Sequence, residues 1–329
     1  MAVLLLLVAV TVNASGGDRS RFLTLLMACA GALVAGRALG TAHPALVPAA
    51  VIAVAAAVAI GNRATLTGTD PPGGPFGYEN ATGAFFAQAA IACVLATVAT
   101  RRAPLVAFGT AGALAFAMLA VSSSGAAAVS LGVALVALPV IVRPRWARPA
   151  VLVASLLFVA VLAATIALGT SYREDDRAGG LEGALRSVFT ERRVALWHAA
   201  LEILAENPGG VGPGRFDDVP PRLLPDGDAR WAHDEFLQQG AELGWLGLIL
   251  TVLLFLWAFA RLLVHPAPDA VVALGAASLA ILGIHASVDP VLHFPAVPLA
   301  AAALVGAAQA APYRGSGRSR CSRSRTPCL

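Results

Sequence analysis

Ten apolar stretches alternate with polar connections along the chain, at residues 2–12, 22–36, 45–61, 84–100, 104–121, 125–142, 149–169, 241–263, 270–287 and 294–311. A helix needs about twenty residues to cross the hydrocarbon core of a bilayer, and these stretches approach or meet that length, the first being short and the second marginal. With 58% hydrophobic and 13% charged residues the chain is too apolar for a water-soluble globular protein. The expected fold is all-α: a polytopic transmembrane helix bundle of about ten spans. Residues 1–169 supply the N-terminal spans, 170–236 one large external loop, 237–311 the C-terminal spans and 312–329 a basic tail.

Arginine placement orients these spans. All 23 basic residues are Arg. Arg101 and Arg102, then Arg143, Arg145 and Arg148, then Arg261, then the five Arg between 314 and 325 fall on one side if the spans alternate. By the positive-inside rule that side is cytoplasmic, both termini are inside and the loop of residues 172–234 is external. That loop carries eight Arg against twelve Asp and Glu, which fits an outside location, whereas Arg19 and Arg21 count against the scheme. The N-terminal MAVLLLLVAVTVNAS lacks the positive n-region of a signal peptide and is read as a short first span. Cys29 and Cys93 sit in spans and Cys321 and Cys328 in the tail, so no disulfide framework is expected. The tail is expected to be a solvated cytoplasmic end, and the loop of residues 62–83, with its Pro and Gly turns, to be solvated as well.

Chemistry is expected in the large loop, because Arg, His and Glu held at the boundary of such an apolar chain are costly to keep. Thr190 as N-cap and Asn207-Pro208-Gly209-Gly210 as stop predict a helix from Glu191 to Glu206. Arg193, Val194, Trp197, Ala200, Leu201 and Leu204 share one arc of it, which should lie on the membrane surface or against the bundle. Arg193 stands at the centre of that arc and Arg192 on its flank. An Arg in the first turn opposes the helix dipole, so a bound phosphate would explain Arg193 better than helix stability does.

Downstream, the run GVGPGRF is a glycine-rich turn that brings Arg215 as a second cation, and Arg222 and Arg230 follow among aspartates. His233 immediately precedes the eighth span. Continued inward as helix, it would share a face with Leu237, Gly240, Gly244 and Gly247, a small-residue stripe for close helix approach. Glu235, Gln238 and Glu242 form a separate polar stripe. His285 and Asp289 sit four apart at the end of the ninth span, where they are expected to cap and hydrogen-bond, with His293 opening the tenth. No His pair has the spacing of a zinc helix, so neither metal nor cofactor is expected.

These residues carry a resemblance. Arg-x-x-x-Trp at Arg193 to Trp197, Asn207-Pro208 followed by GVGPGRF, His233-Asp234, the run ELGWLG from Glu242 to Gly247 and the late HASVD-x-x-L resemble the O-antigen ligase and O-antigen polymerase family of polytopic bacterial membrane proteins. Asp234 stands where that family commonly has Asn, and the turn Ser122-Ser123-Ser124-Gly125 lacks the Arg that often follows. The resemblance implies a GT-C-like glycosyltransferase of the bacterial cytoplasmic (inner) membrane. Such an enzyme takes a glycan from an undecaprenyl diphosphate carrier and joins it to a lipid or polysaccharide acceptor on the external face, without metal. It implies catalytic roles for His233, near the acceptor hydroxyl, and Arg193, on the diphosphate, with Arg192, Arg215, Arg222, Glu242, His285 and Asp289 as substrate-binding candidates.

The partners implied are the lipid-linked glycan donor, the acceptor and the bilayer, with no nucleic acid. Ligase and polymerase differ in acceptor only. From another class, a transporter or flippase for lipid-linked sugars would place ionisable residues deep in several spans or repeat a broken-helix pattern, and a noncatalytic scaffold would find Arg193 and His233 dispensable. Orientation is directly testable. A single Cys at Ala178 or Asp226, in a background without native Cys, is expected to react with an impermeant thiol reagent on intact cells, and protection of both until lysis would reverse the topology.

Overall fold

The computed structural model describes residues 19–67, 74–100, 103–134, 138–172, 190–218, 230–266 and 269–310. In chain order the main helices are α1 (Arg19–Ala42), α2 (Leu46–Gly61), α3 (Glu79–Thr100), α4 (Ala103–Ser123), α5 (Gly125–Ala134), α6 (Ala147–Ser171), α7 (Glu191–Glu206), α8 (Glu235–Leu263), α9 (Ala270–Ala286) and α10 (Ala296–Gln309). No strand occurs among the described residues.

Among the described residues five helices are long and apolar enough to cross a membrane: Phe22–Ala42, Glu79–Thr100, Val106–Ser123, Pro144–Ser171 and Glu235–Leu263. The apolar helices α2, α9 and α10 are shorter. Large apolar side chains such as Met27, Ile60, Phe108, Met118 and Leu156 stay exposed on the outside of the bundle, where hydrocarbon rather than water would cover them. The protein is a helical integral membrane protein. Stretch 2–12 lies outside the described residues. Of stretch 125–142 the structure describes α5 to Ala134 and a short helix at Leu138–Val142, and residues 135–137 lie outside the described residues.

Helix α9 is the axis of the bundle. It packs against α3, α5, α6, α8 and α10, and of its residues all but Val271 are buried. That is the burial expected of a helix that is apolar all round. Glycine allows backbones to meet elsewhere. A Cβ at Gly36 of α1 would lie 2.3 Å from the Ala303 carbonyl oxygen of α10, and one at Gly306 of α10 would lie 2.2 Å from that of Leu33. The α1–α10 seam is therefore a small-residue contact.

The loop helix α7 spans the residues expected of it and packs on α6 and α8, burying Val194, Leu196, Trp197, Ala200, Ile203 and Leu204. Thr190 does not cap it: its φ is +62° and its side chain makes no capping bond. The glycine-rich segment that follows does more than turn. Helix α8 is broken at Gly244, where φ is +72° and ψ −170°, a conformation essentially restricted to glycine.

At that break the segment of residues 208–214 takes over the backbone hydrogen bonds: Trp245 N–H donates to Pro208 O (3.1 Å), Val211 N–H to Ala241 O (3.0 Å) and Gly212 N–H to Glu242 O (2.8 Å). Of the expected stripe, Gly240 faces Leu204 of helix α7, whereas Gly244 thus meets a loop. The contact leaves no space for side chains, since a Cβ at Gly244 would lie 2.2 Å from Pro208 O and one at Gly210 2.3 Å from Glu242 O.

Gly210→Ala and Gly244→Ala should each lower thermal stability of the purified protein by at least about 1–3 kcal/mol, the cost of the positive φ alone. Gly209→Ala, with nothing within 4 Å of the new methyl, should be nearly neutral. Equal effects at all three positions would show that the loop is not held against the break.

Candidate active site

The axis helix α9 delivers His285 near its end and Asp289 just beyond it, both fully buried. One carboxylate oxygen, Asp289 Oδ1, is shared by three side chains from distant parts of the chain. Tyr78 O–H donates to it at 2.5 Å, Arg193 Nη2–H at 2.9 Å, and His233 Nδ1 stands 3.3 Å away. A carboxylate only accepts, so His233 carries a proton on Nδ1, and in the neutral imidazole the lone pair is then on Nε2.

Burial raises the Asp289 carboxyl most strongly, but the His233 bond, the Arg193 charge, and His285 and Tyr78 outweigh it and hold the group below its ordinary range. The group is ionised. Burial, then the Asp289 charge and hydrogen bond, push the Tyr78 phenol far above its usual value, so Tyr78 stays an O–H donor. Tyr78 is itself held by Asn80 Nδ2 (3.1 Å), and Ser124 Oγ donates to Asn80 Oδ1 (2.6 Å).

His233 does not continue α8. Its φ is +54°, uncommon for a residue with a Cβ and typical of functional positions where the surroundings over-determine the backbone. Two contacts do so here. Trp197 Nε1–H donates to the His233 carbonyl (3.1 Å). Asp234 is the N-cap of α8, accepting from Phe236 N–H (2.8 Å) and Leu237 N–H (3.0 Å) on Oδ1 and from Thr165 O–H (2.7 Å) on Oδ2.

Thr165 O–H also has Leu162 O within reach (2.9 Å), so the site does not demand Asp at 234: an Asn there could accept the two caps on Oδ1 and donate its NH₂ to Thr165 Oγ1. Burial pushes the Asp234 carboxyl up to about 7 against those three hydrogen bonds. The cap ends the face on which His233 was expected to align with Leu237, Gly240, Gly244 and Gly247. His233 instead turns toward Asp289.

The other candidates divide. His285 Nε2 is 3.8 Å from Asp289 Oδ2, beyond direct hydrogen-bond reach. Arg192 is exposed beside half-buried Arg193, as the wheel expected. Arg215 does not join Arg193: it pairs with Asp218 at 2.9 Å on the surface. The cause is local, since the preceding Gly214 N–H is anchored to Glu242 Oε2 (2.7 Å). Glu242 is buried and also accepts from Gln238 Nε2 (2.9 Å). Arg222 lies outside the described residues.

Three contributions were not read from the sequence: Tyr78, Trp197 Nε1 as a clamp on His233, and the pair of buried Glu235 with His293 Nδ1 (3.0 Å). Glu235, Gln238, Glu242 and His293, with Arg230 and Trp231, form the polar end of a cavity of about 760 Å³ whose remaining walls come from α1, α8, α9, α10, residues 213–217 and the turn before α10. Arg193, His233 and Asp289 do not line that cavity. They abut it through Asp234–Glu235 and the 289–293 turn. No group of three His, Cys, Asp or Glu residues suited to a metal occurs among the described residues.

Residues 109–252 match the family described as O-antigen ligase. That region runs from α4 through the break in α8 and includes Arg193, the glycine-rich loop, His233, Asp234 and Glu242. Tyr78, His285 and Asp289 fall outside it. No curated protein and no solved structure matches the chain. The match supports the O-antigen ligase and polymerase family, and with it a membrane-embedded glycan ligase or polymerase type of enzyme in polysaccharide biosynthesis.

Asp289→Asn keeps the volume of the hub and removes its charge. Arg193 and His233 would then share a neutral amide oxygen in place of a carboxylate, and stability should fall by about 1–3 kcal/mol, the worth of hydrogen bonds to a charged group. Because the folded Asp289 is more acidic than an unfolded Asp, at about 3.9, its contribution is fully present above that pH and lost as pH falls through the lower folded value. Thermal unfolding of wild type and variant should therefore differ at pH 7 and converge below about pH 4. A constant gap, or none, would show that the carboxylate is not the hub.

Proposed function

We propose that the protein is a metal-independent glycosyltransferase that moves a glycan from a polyprenyl diphosphate carrier to a sugar hydroxyl at the outer face of the cytoplasmic membrane, with the large loop external. The observation that carries this reading is the shared Asp289 oxygen. It holds a guanidinium and an Nδ1-protonated imidazole side by side, with 23% of the Arg193 side chain and 26% of that of His233 exposed while Asp289 is fully buried.

Each residue then has a part. Asp289 fixes the His233 tautomer so that Nε2 accepts the proton of the acceptor O–H as that oxygen bonds the anomeric carbon. The bond from that carbon to the diphosphate oxygen breaks, and the leaving polyprenyl diphosphate takes the electron pair. Arg193 uses one N–H on Asp289 and has others with which to neutralise the charge growing on the leaving group. Glu235, two residues after His233, and Leu292 and His293, three and four after Asp289, line the cavity, whose polar end, with Gln238, Glu242 and His293, is suited to sugar hydroxyls. A transporter fits less well, because the ionised cluster sits at one end of the bundle, at the starts of α3, α7 and α8 and the end of α9.

Transfer from a polyprenyl-diphosphate glycan, assayed in membranes matched for protein level, separates adjacent residues. Arg193→Ala should lose at least about 30-fold, Arg193→Lys should recover part of that, and Arg192→Ala should lose less than about threefold, as buried and rim charges differ. His233→Gln should lose about 10²-fold or more. A single product would indicate a ligase and a ladder a polymerase. Equal, mild losses at 192 and 193 would show that the site is elsewhere.

A further inference from the structure

The opposite end of the same bundle carries a cationic pocket that the reaction does not use. A second cavity, of about 360 Å³, is lined by Leu33, Val34 and Arg37 of α1, Trp257 and Arg261 of α8, and Gln309 of α10. Arg261 is in the last turn of α8, whose first turn is beside His233, and Gln309 closes α10. Among the described residues neither arginine has an acidic partner. The acid at this end, Asp269, is committed to the Val271 and Val272 N–H groups as the N-cap of α9.

Among the described residues Gln309 Nε2, which is buried, has no hydrogen-bond partner, an orphan donor of the kind that ordinarily has one. Two unpaired guanidinium groups and an orphan amide N–H make a pocket of donors. The occupant it calls for is an anion.

That anion has a tail to accommodate. Leu33 and Trp257 line both this pocket and the 760 Å³ cavity. The two voids are consecutive parts of one trough between α1, α8 and α10. Between its ends the wall is apolar, with Leu25, Leu26, Leu254, Phe255 and Val305 among its residues. The small-residue seam of Gly36, Gly40 and Gly306 draws α1 against α10, which sets Arg37 beside Gln309 at the trough's lower mouth. By the arginine distribution this mouth is at the cytoplasmic leaflet, where anionic headgroups concentrate.

We propose that Arg37, Arg261 and Gln309 bind the phosphate of an anionic phospholipid whose acyl chain lies in the trough. Basic residues at a cytoplasmic helix end also arise simply from the positive-inside bias, and that origin predicts diffuse attraction without a site. The two differ in what a neutral headgroup, a free phosphate and arginines elsewhere would do.

Native mass spectrometry of the purified full-length protein, incubated with equal amounts of phosphatidylglycerol and phosphatidylcholine, tests it. Wild type should retain one phosphatidylglycerol at least tenfold over phosphatidylcholine, and Arg37→Gln with Arg261→Gln should abolish that preference. Gln309→Leu should weaken it with both arginines intact, which covers the case that the double variant is poorly folded. Arg145→Gln with Arg148→Gln, basic residues outside the pocket, should leave it unchanged. Equal retention of the two lipids, equal loss in the 145/148 variant, or full displacement by millimolar inorganic phosphate would overturn the proposal. The last would show an anion site without a lipid tail.

Discussion

A single buried carboxylate holds the site together. Asp289 is placed at the end of the most enclosed helix of the bundle, where taking a charge out of water costs several kcal/mol unless partners compensate. Compensation comes from three chain segments distant in sequence: the start of α3 through Tyr78, the first turn of α7 through Arg193, and the residue before α8 through His233. Because all three converge on one oxygen, the position of each constrains the others. The loop helix is therefore fixed to the bundle by polar chemistry at one end and by apolar packing along its length.

The same economy appears at the break in α8. A helix interrupted by Gly244 would expose unsatisfied backbone groups, and the segment of residues 208–214 supplies them from outside the helix. Glu242, next to the break, receives Gly214 N–H and so ties the loop to the cavity wall. The loop after α7 and the helix that begins at the dyad are thus one unit. A displacement of one would reposition Glu242, Gln238 and the mouth of the cavity together.

Much of this was legible in the residues. The 3.6-residue period of α7 and its stop at Asn207 gave its bounds, and the wheel separated Arg193 from Arg192 correctly. His285 and Asp289 were recognised as neighbours by their spacing. What was not legible depends on contacts far apart in sequence. Tyr78 meets Asp289 across 211 positions, and nothing local distinguishes it from Glu79 or Asn80. Arg193 was read as awaiting an anion because its partner Asp289 lay 96 positions away.

His233 was misplaced for a different reason. Asp234 followed by Glu-Phe-Leu is an N-cap signal, and reading it as such would have ended the helix one residue earlier and freed His233 from the α8 face. The glycine run looked like an ordinary turn because its receptor, the break at Gly244, is itself signalled by one glycine among several.

The central claim is that Asp289 acts through His233, and a double-mutant cycle on glycan transfer measures it most directly. If Asp289 serves to orient the imidazole, Asp289→Asn should be severe in the wild type and cost a much smaller factor in a His233→Gln background, the remainder being its effect through Arg193. Losses that multiply, with Asp289→Asn costing the same factor in both backgrounds, would show that the carboxylate and the imidazole act independently and would contradict the account.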